Sequence, residues 1–101
     1  MSGGRSPREK GKRGEREFCK IFGGERVPLS GSAGGSFSGD AINVPGFGKG
    51  EIKRRGSDAF KFLYSALGEN DFLAVRADKK KWLVIFPQEK ALEIQEKLKN
   101  L

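Results

Sequence analysis

Four side chains carry the chemistry open to this sequence: Glu15, Asp40, Glu51 and Lys53. Around the last two the chain reads Gly50-Glu51-Ile52-Lys53. In an extended strand successive side chains alternate faces, so Glu51 and Lys53 share one side while Ile52 points to the other, into a core. If Asp40 sits on a neighbouring strand of the same sheet and Glu15 on a helix packed across it, three carboxylates and one lysine converge. Carboxylate oxygens are the ligands that a hard divalent cation selects, and a lysine beside them can act on a phosphate or a water. The chain has no histidine, and Cys19 is its single cysteine. Histidine triads, histidine-zinc hydrolysis and histidine acid-base chemistry are therefore excluded, as are an intramolecular disulfide and a cysteine-cluster zinc site. What remains for hydrolysis is carboxylate plus metal, or lysine.

At 101 residues the chain has the length of one domain with a modest core. Its formal charge is +7, from 20 Lys and Arg against 13 Asp and Glu, which argues for a polyanionic partner. The basic residues crowd positions 1–14 and the stretch around Lys53. Nucleic acid is the commonest such partner, and with the carboxylate set it gives the expectation of a metal-dependent nuclease. No apolar run is long enough to cross a membrane and no signal segment opens the chain, so a cytoplasmic protein is expected, in the host cytosol if viral.

The elements that must position these residues follow from periodicity. Residues 1–10 lack an apolar pattern and are expected to be a flexible basic arm, either a solvated tail or a DNA contact; residues 11–101 form the single domain. From about Pro7 to Phe22 the spacing of Phe18, Ile21 and Phe22 predicts a helix, with Cys19 at the stripe's edge. Glu15 lies about 50° from the centre of that stripe, at ~100° per residue, and Arg16 lies on the far side. Glu15 is thus the acid that leans inward, which is costly unless a cation or strong donors meet it; the alternative is a surface glutamate in an i,i+4 pair.

Gly23-Gly24 stops the helix, and Glu25 to Leu29 reads as a short strand. The Ser/Gly-rich stretch 30–39 is a loop, either a plain linker or a mobile segment approaching a phosphodiester. It is no Walker-type phosphate loop, lacking Gly-Lys-Ser/Thr and a following helix. Asp40 to Val44 is expected as a strand with Asp40, Ile42 and Val44 on one face; Asp40 is then a site residue, or else a turn cap. Residues 45–49 form a hairpin-like connection into the Gly50–Lys53 strand.

Ser57 is the expected N-cap of a helix bearing Phe60, Leu63, Tyr64 and Leu67 and ended by Gly68. Residues 71–77 and 82–86 are continuous apolar runs, expected as strands buried on both faces. Between them Lys79-Lys80-Lys81 is a solvated tip or a phosphate contact. After Pro87 the spacing of Ala91, Leu92, Ile94, Gln95, Leu98 and Leu101 predicts a closing amphipathic helix. The order is helix, three strands, helix, two strands, helix.

These residues, in this order, resemble the PD-(D/E)-x-K nuclease superfamily, and within it the archaeal-type Holliday-junction resolvases. Lys10-Gly11-Lys12-Arg13-Gly14-Glu15-Arg16-Glu17-Phe18 is similar to that family's opening Lys-Gly followed by Glu-Arg-Glu and an apolar helix face. Arg26-Val27-Pro28-Leu29-Ser30-Gly31-Ser32 is similar to its Val-Arg-Ser-Gly-Ser strand and loop, and Asp40 with Glu51-Ile52-Lys53 completes the set. The likeness covers about residues 10–87. It departs from the family at Gly39, where proline is usual, and at Gly48-Lys49-Gly50, where an apolar strand is usual.

The resemblance implies an α/β fold of restriction-endonuclease type, a central mixed β-sheet flanked by helices. It implies Glu15, Asp40, Glu51 and Lys53 as catalytic residues. Magnesium would be held by Glu15, Asp40, Glu51 and the Ile52 carbonyl, with manganese expected to substitute. Arg13, Arg16, Arg26, Ser30, Ser32, Ser36, Arg54 and Arg55 are the expected DNA contacts. The implied substrate is a four-way junction cut symmetrically by a homodimer, without any membrane association. The alternatives are a nickase or a branch or flap nuclease of the same superfamily, and a basic DNA-binding module without catalysis.

Overall fold

The computed structural model describes residues 7–27 and 40–100, with side chains from Lys12 onward. Its elements follow the expected order: α1 (Pro7–Phe22), β1 (Glu25–Arg26), β2 (Ala41–Val44), β3 (Gly48–Gly50), α2 (Lys61–Leu67), β4 (Leu73–Val75), β5 (Leu83–Ile85) and α3 (Gln88–Lys99). The class is α/β. The strands pair as two small antiparallel sheets, β1-β2-β3 and β4-β5, so these pairings differ from the single mixed sheet expected. The chain divides into two compact units, Met1–Gly56 and Ser57–Leu101. Among the described residues no helix is long and apolar enough to cross a membrane.

In the first unit α1 spans the predicted range and packs on β1 and β2. Pro7 opens it, at the position where a missing N–H costs nothing, and takes residues 7–10 out of the arm. The inward face is Glu15, Phe18, Cys19 and Phe22, whereas Ile21, expected on the stripe, is exposed. Those four positions follow i, i+3, i+4, i+7, so Glu15 lies within the face and not at its flank. The Phe18 and Phe22 rings stack at 4.5 Å, and Phe47 from the β2–β3 turn lies 6.3 Å from Phe22.

The helix ends as predicted at Gly23, whose N–H donates to the Cys19 carbonyl at 2.8 Å. Both Gly23 and Gly24 take positive φ, and a Cβ on Gly24 would stand 2.7 Å from Val44 Cγ2. The two glycines therefore make the sharp return and let β2 approach. β1 covers Glu25 and Arg26 and stops before Val27, and the expected strand residues 28–29 lie outside the described residues.

β2 carries a bulge that alters the predicted facing. Ala41 pairs with Gly50 and Val44 with Gly48, so β2 has one residue more than β3 between those pairs, with Asn43 at φ 56. Because of that extra residue Ala41 and Val44 are the buried positions, at 1% and 4% exposure, in place of Ile42 and Val44. β3 occupies Gly48–Gly50, and the expected strand Glu51–Lys53 lies just beyond the ladder.

In the second unit Ser57 is not the helix cap. Residues 57–60 form a turn, Phe60 sits at φ 60, and α2 starts at Lys61 because that left-handed residue interrupts the helical run. Gly68 ends α2 as predicted, its N–H donating to the Tyr64 carbonyl at 3.0 Å. β4 and β5 pair in register Leu73↔Ile85 to Val75↔Leu83. They are not buried on both faces: Phe72, Trp82, Leu83 and Val84 are exposed. α3 buries Ala91 and Gln95 while Leu98 is exposed, and Leu101 lies outside the described residues. On its outer side Lys90 and Lys97 each stand 3.4 Å from Glu93, and Lys90 above all holds that carboxyl below its usual range.

Replacing Gly24 by alanine is expected to lower stability by about 2 kcal/mol or more, from the left-handed backbone and the Val44 clash together. Gly56→Ala, where a Cβ meets nothing within 4 Å, is the neutral comparison. Urea unfolding of the two variants measures the difference.

Candidate active site

Asp40 stands at the head of β2 and is bonded on both sides. Its carbonyl accepts the Val27 N–H at 3.1 Å, and its own N–H donates to the Gly50 carbonyl at 2.8 Å. The side chain crosses to the same neighbour, where Oδ2 accepts the Ile52 N–H at 2.8 Å. Residues 51–56 carry no strand, and this side-chain bond ties their start to Asp40. Asp40 thus acts across the sheet, twelve residues away, where a turn cap would act locally.

Asp40 is thus bonded to Gly50 and to Ile52, the residues on either side of Glu51. Lys53 stands beside Glu51: its Nζ is 3.0 Å from Glu51 Oε2, with both side chains about half exposed. The predicted alternation of Glu51 and Lys53 against Ile52 therefore holds, with Ile52 the less exposed of the three. Asp40 is thereby tied to the segment that carries the Glu51–Lys53 pair.

Glu15 has a partner on β1. It leans inward as expected, with 12% of its side chain exposed, and Arg26 is the cation that meets it, Nε donating to Oε1 at 3.1 Å. The residue expected to touch DNA is thus the partner of the buried-leaning acid. On the same side Arg54 passes beneath α1 at Gly14, where an added Cβ would stand 3.0 Å from Arg54 Cβ. Arg54 Nε also lies 4.0 Å from Glu17 Oε1.

Among the described residues no three acids, cysteines or histidines stand close enough to form a cation-holding group. Arg13, Arg16 and Arg55 are exposed, Arg55 donating to the Arg54 carbonyl at 3.1 Å. Ser30, Ser32 and Ser36 lie outside the described residues.

Sequence reasoning missed two positions that shape this edge. Gly14, buried in α1, is the point of close approach for Arg54; a glycine inside a helical pattern was its signal. Asn43 makes the bulge next to Asp40, and its residue type is one that tolerates left-handed backbone. Beside Glu15 the Cys19 thiol is pushed up by burial; Arg26 pulls it down and Glu15 pushes it further up.

The donors suit a hard cation in type. Asp40 and Glu51 offer carboxylate oxygens, and the Ile52 carbonyl belongs to the backbone that Asp40 anchors. Glu51 must then exchange its pairing with Lys53 for the cation, which frees the ammonium for an anion.

Removing Arg26 leaves Glu15 inward without its cation, so Arg26→Ala is expected to cost about 1–3 kcal/mol in urea unfolding. Adding Glu15→Gln should recover part of that loss. The raised thiol gives a pH effect: the folded chain keeps the Cys19 proton longer than the unfolded chain. Its contribution to stability is complete below the ordinary thiol range, about 8.5, and is lost as pH rises through the folded value. Iodoacetamide labelling of Cys19 against pH, read by mass spectrometry, should show a later rise in the folded chain than in urea. Compared with known proteins, the chain matches no family model, no curated protein and no solved structure.

Proposed function

We propose that this chain is a metal-dependent endodeoxyribonuclease that cuts four-way DNA junctions symmetrically as a homodimer. The observation that supports the reading is the bond from the Ile52 N–H to Asp40 Oδ2 at 2.8 Å, which ties Asp40 to the Glu51-Ile52-Lys53 segment. The net charge of +7 supports a nucleic-acid substrate, and the helix–three strands–helix–two strands–helix order supports a restriction-endonuclease-like core.

In this reading Asp40, Glu51 and the Ile52 carbonyl hold a magnesium ion, with manganese able to replace it. When bound, such an ion would supply positive charge at the scissile phosphate and a more acidic water. Lys53, on the Glu51 side, donates to a phosphate oxygen and stabilises the charge that grows there as water attacks phosphorus. The phosphorus–oxygen bond opposite the water breaks, leaving a 5'-phosphate and a 3'-hydroxyl. Arg55 and the exposed Arg13 and Arg16 add salt-sensitive backbone affinity. Two symmetric cuts in a junction call for two copies related by a two-fold axis. Glu15, paired with Arg26, acts in this scheme by holding α1 against β1.

The same pairing of Glu15 favours a second reading, a basic DNA-binding module in which the carboxylates are structural. Cleavage of a labelled four-way junction beside nicked, flap and linear duplexes separates the two. Paired symmetric nicks are expected with magnesium, none with EDTA, and a loss of about 100-fold or more in Lys53→Ala. Cutting of flaps or nicked duplex alone moves the substrate to another branched form. Binding without cutting under either metal overturns the nuclease reading in favour of the module.

A further inference from the structure

The second unit displays a surface that the carboxylate site does not use. Trp82, the only tryptophan of the chain, stands at the start of the β5 side of the hairpin and is 62% exposed. Phe62 on α2 is 70% exposed. The two line one open groove of about 850 Å3, together with Val75, Arg76, Lys80 and Lys81. Large aromatic side chains left in water forgo the roughly 25 cal/mol per Å2 that burial would bring, so packing within the unit does not explain them.

The cations are placed with the rings. The Arg76 guanidinium lies over the Trp82 ring, 5.6 Å from its centroid, and Arg76 Nη1 also approaches the Lys80 carbonyl at 3.4 Å. Lys79 turns the chain at φ 64, and the Lys80 N–H donates to the Ala77 carbonyl at 3.1 Å. The turn is thereby closed, with Lys80 and Lys81 on the groove. Among the described residues that line this groove none is acidic.

That combination decides between occupants. A purely apolar partner would leave Arg76, Lys80 and Lys81 without counter-charge. A second copy meeting this face across a two-fold axis would set the same cations against themselves, which disfavours the pairing. Single-stranded nucleic acid offers a flat π-face on every base and a phosphate beside each one, matching an aromatic surface with cations at its margin.

We propose that the β4–β5 hairpin and α2 form a platform for single-stranded DNA. An unpaired base stacks on Trp82 in the groove shared with Phe62, and Arg76, Lys80 and Lys81 hold the flanking phosphates. Arg76 does both jobs, since a guanidinium over the indole also stays within reach of a neighbouring phosphate. The platform needs no catalysis at Asp40 and Glu51, so it stands or falls apart from the nuclease reading.

The test is a titration of the full chain, in EDTA to prevent cutting, with a 5'-labelled mixed-sequence oligodeoxynucleotide and with the same sequence as blunt duplex. Because Trp82 is the sole tryptophan, its emission reports this groove directly. The expected result is quenching of Trp82 by the single strand that saturates together with the anisotropy of the label, and much weaker quenching by duplex. Trp82→Leu should lower single-strand affinity about 5- to 150-fold, the range of one lost stacked base. The exposed pair Lys80→Glu and Lys81→Glu, with circular dichroism read alongside to check that the fold is kept, should lower it at least about tenfold and flatten its salt dependence. Anisotropy that rises without quenching, equal quenching by duplex, or unchanged affinity in the lysine pair overturns the proposal. So does a blue shift of Trp82 emission with protein concentration in the absence of DNA, which would show a second copy on this face.

Discussion

One hydrogen bond organises the first unit: the Asp40 carboxylate on the Ile52 N–H, 2.8 Å long. β3 is Gly-Lys-Gly, with one side chain in three residues to pack, so its ladder has little to hold it beyond Gly50. A charge-assisted bond of this kind contributes about 1.5–3 kcal/mol and carries the pairing one step further. From that step follow the positions of the next residues. Glu51 is held between two residues bonded to Asp40, Lys53 pairs with Glu51, and Arg54 goes under α1 at Gly14. The group that would bind a cation is therefore also the group that builds the edge on which the cation would sit.

The two sides of that edge carry charge differently. Toward α1 the charges are matched within the protein, Glu15 with Arg26 and Glu17 with Arg54. A part-buried carboxylate between a helix and a strand needs such a partner, and the pairing also fixes how α1 lies on β1. Glu51 and Lys53 instead meet each other in solvent, where an ion pair is worth little and exchanges readily. A half-exposed pair of this kind can part when an anion and a cation arrive together, and the Glu15 pair is the one built to stay.

Much of the fold was legible because it rests on periodicity and on glycine. The α1 boundary at Gly23-Gly24, the turn into β3, the Gly68 stop and α3 after Pro87 all follow from local backbone preferences that no distant contact overrides. The Glu15 lean was legible from a helical wheel, and Arg26 as its partner was not, because pairing across eleven residues depends on how the helix lands on the strand. The facing of β2 was misread for a related reason: period-two alternation assumes a regular ladder, and Asn43 inserts one residue into it. At Phe60 the apolar spacing suggested continuous helix while the backbone turned left-handed. The apolar runs at β4 and β5 signalled strands correctly, but continuous hydrophobicity in a two-stranded ribbon marks an exposed surface as readily as a core.

The claim on which the functional reading depends is that Asp40 and Glu51 share a divalent cation. Titration of the isotope-labelled chain with manganese, followed by amide NMR, tests it directly, since the paramagnetic ion broadens signals nearest to it. Loss of the Asp40, Glu51 and Ile52 amides ahead of all others, absent in Asp40→Asn and reversed by excess magnesium, is the predicted result. Broadening centred elsewhere, or unchanged by Asp40→Asn, would contradict it and leave the Asp40–Ile52 bond as a structural device alone.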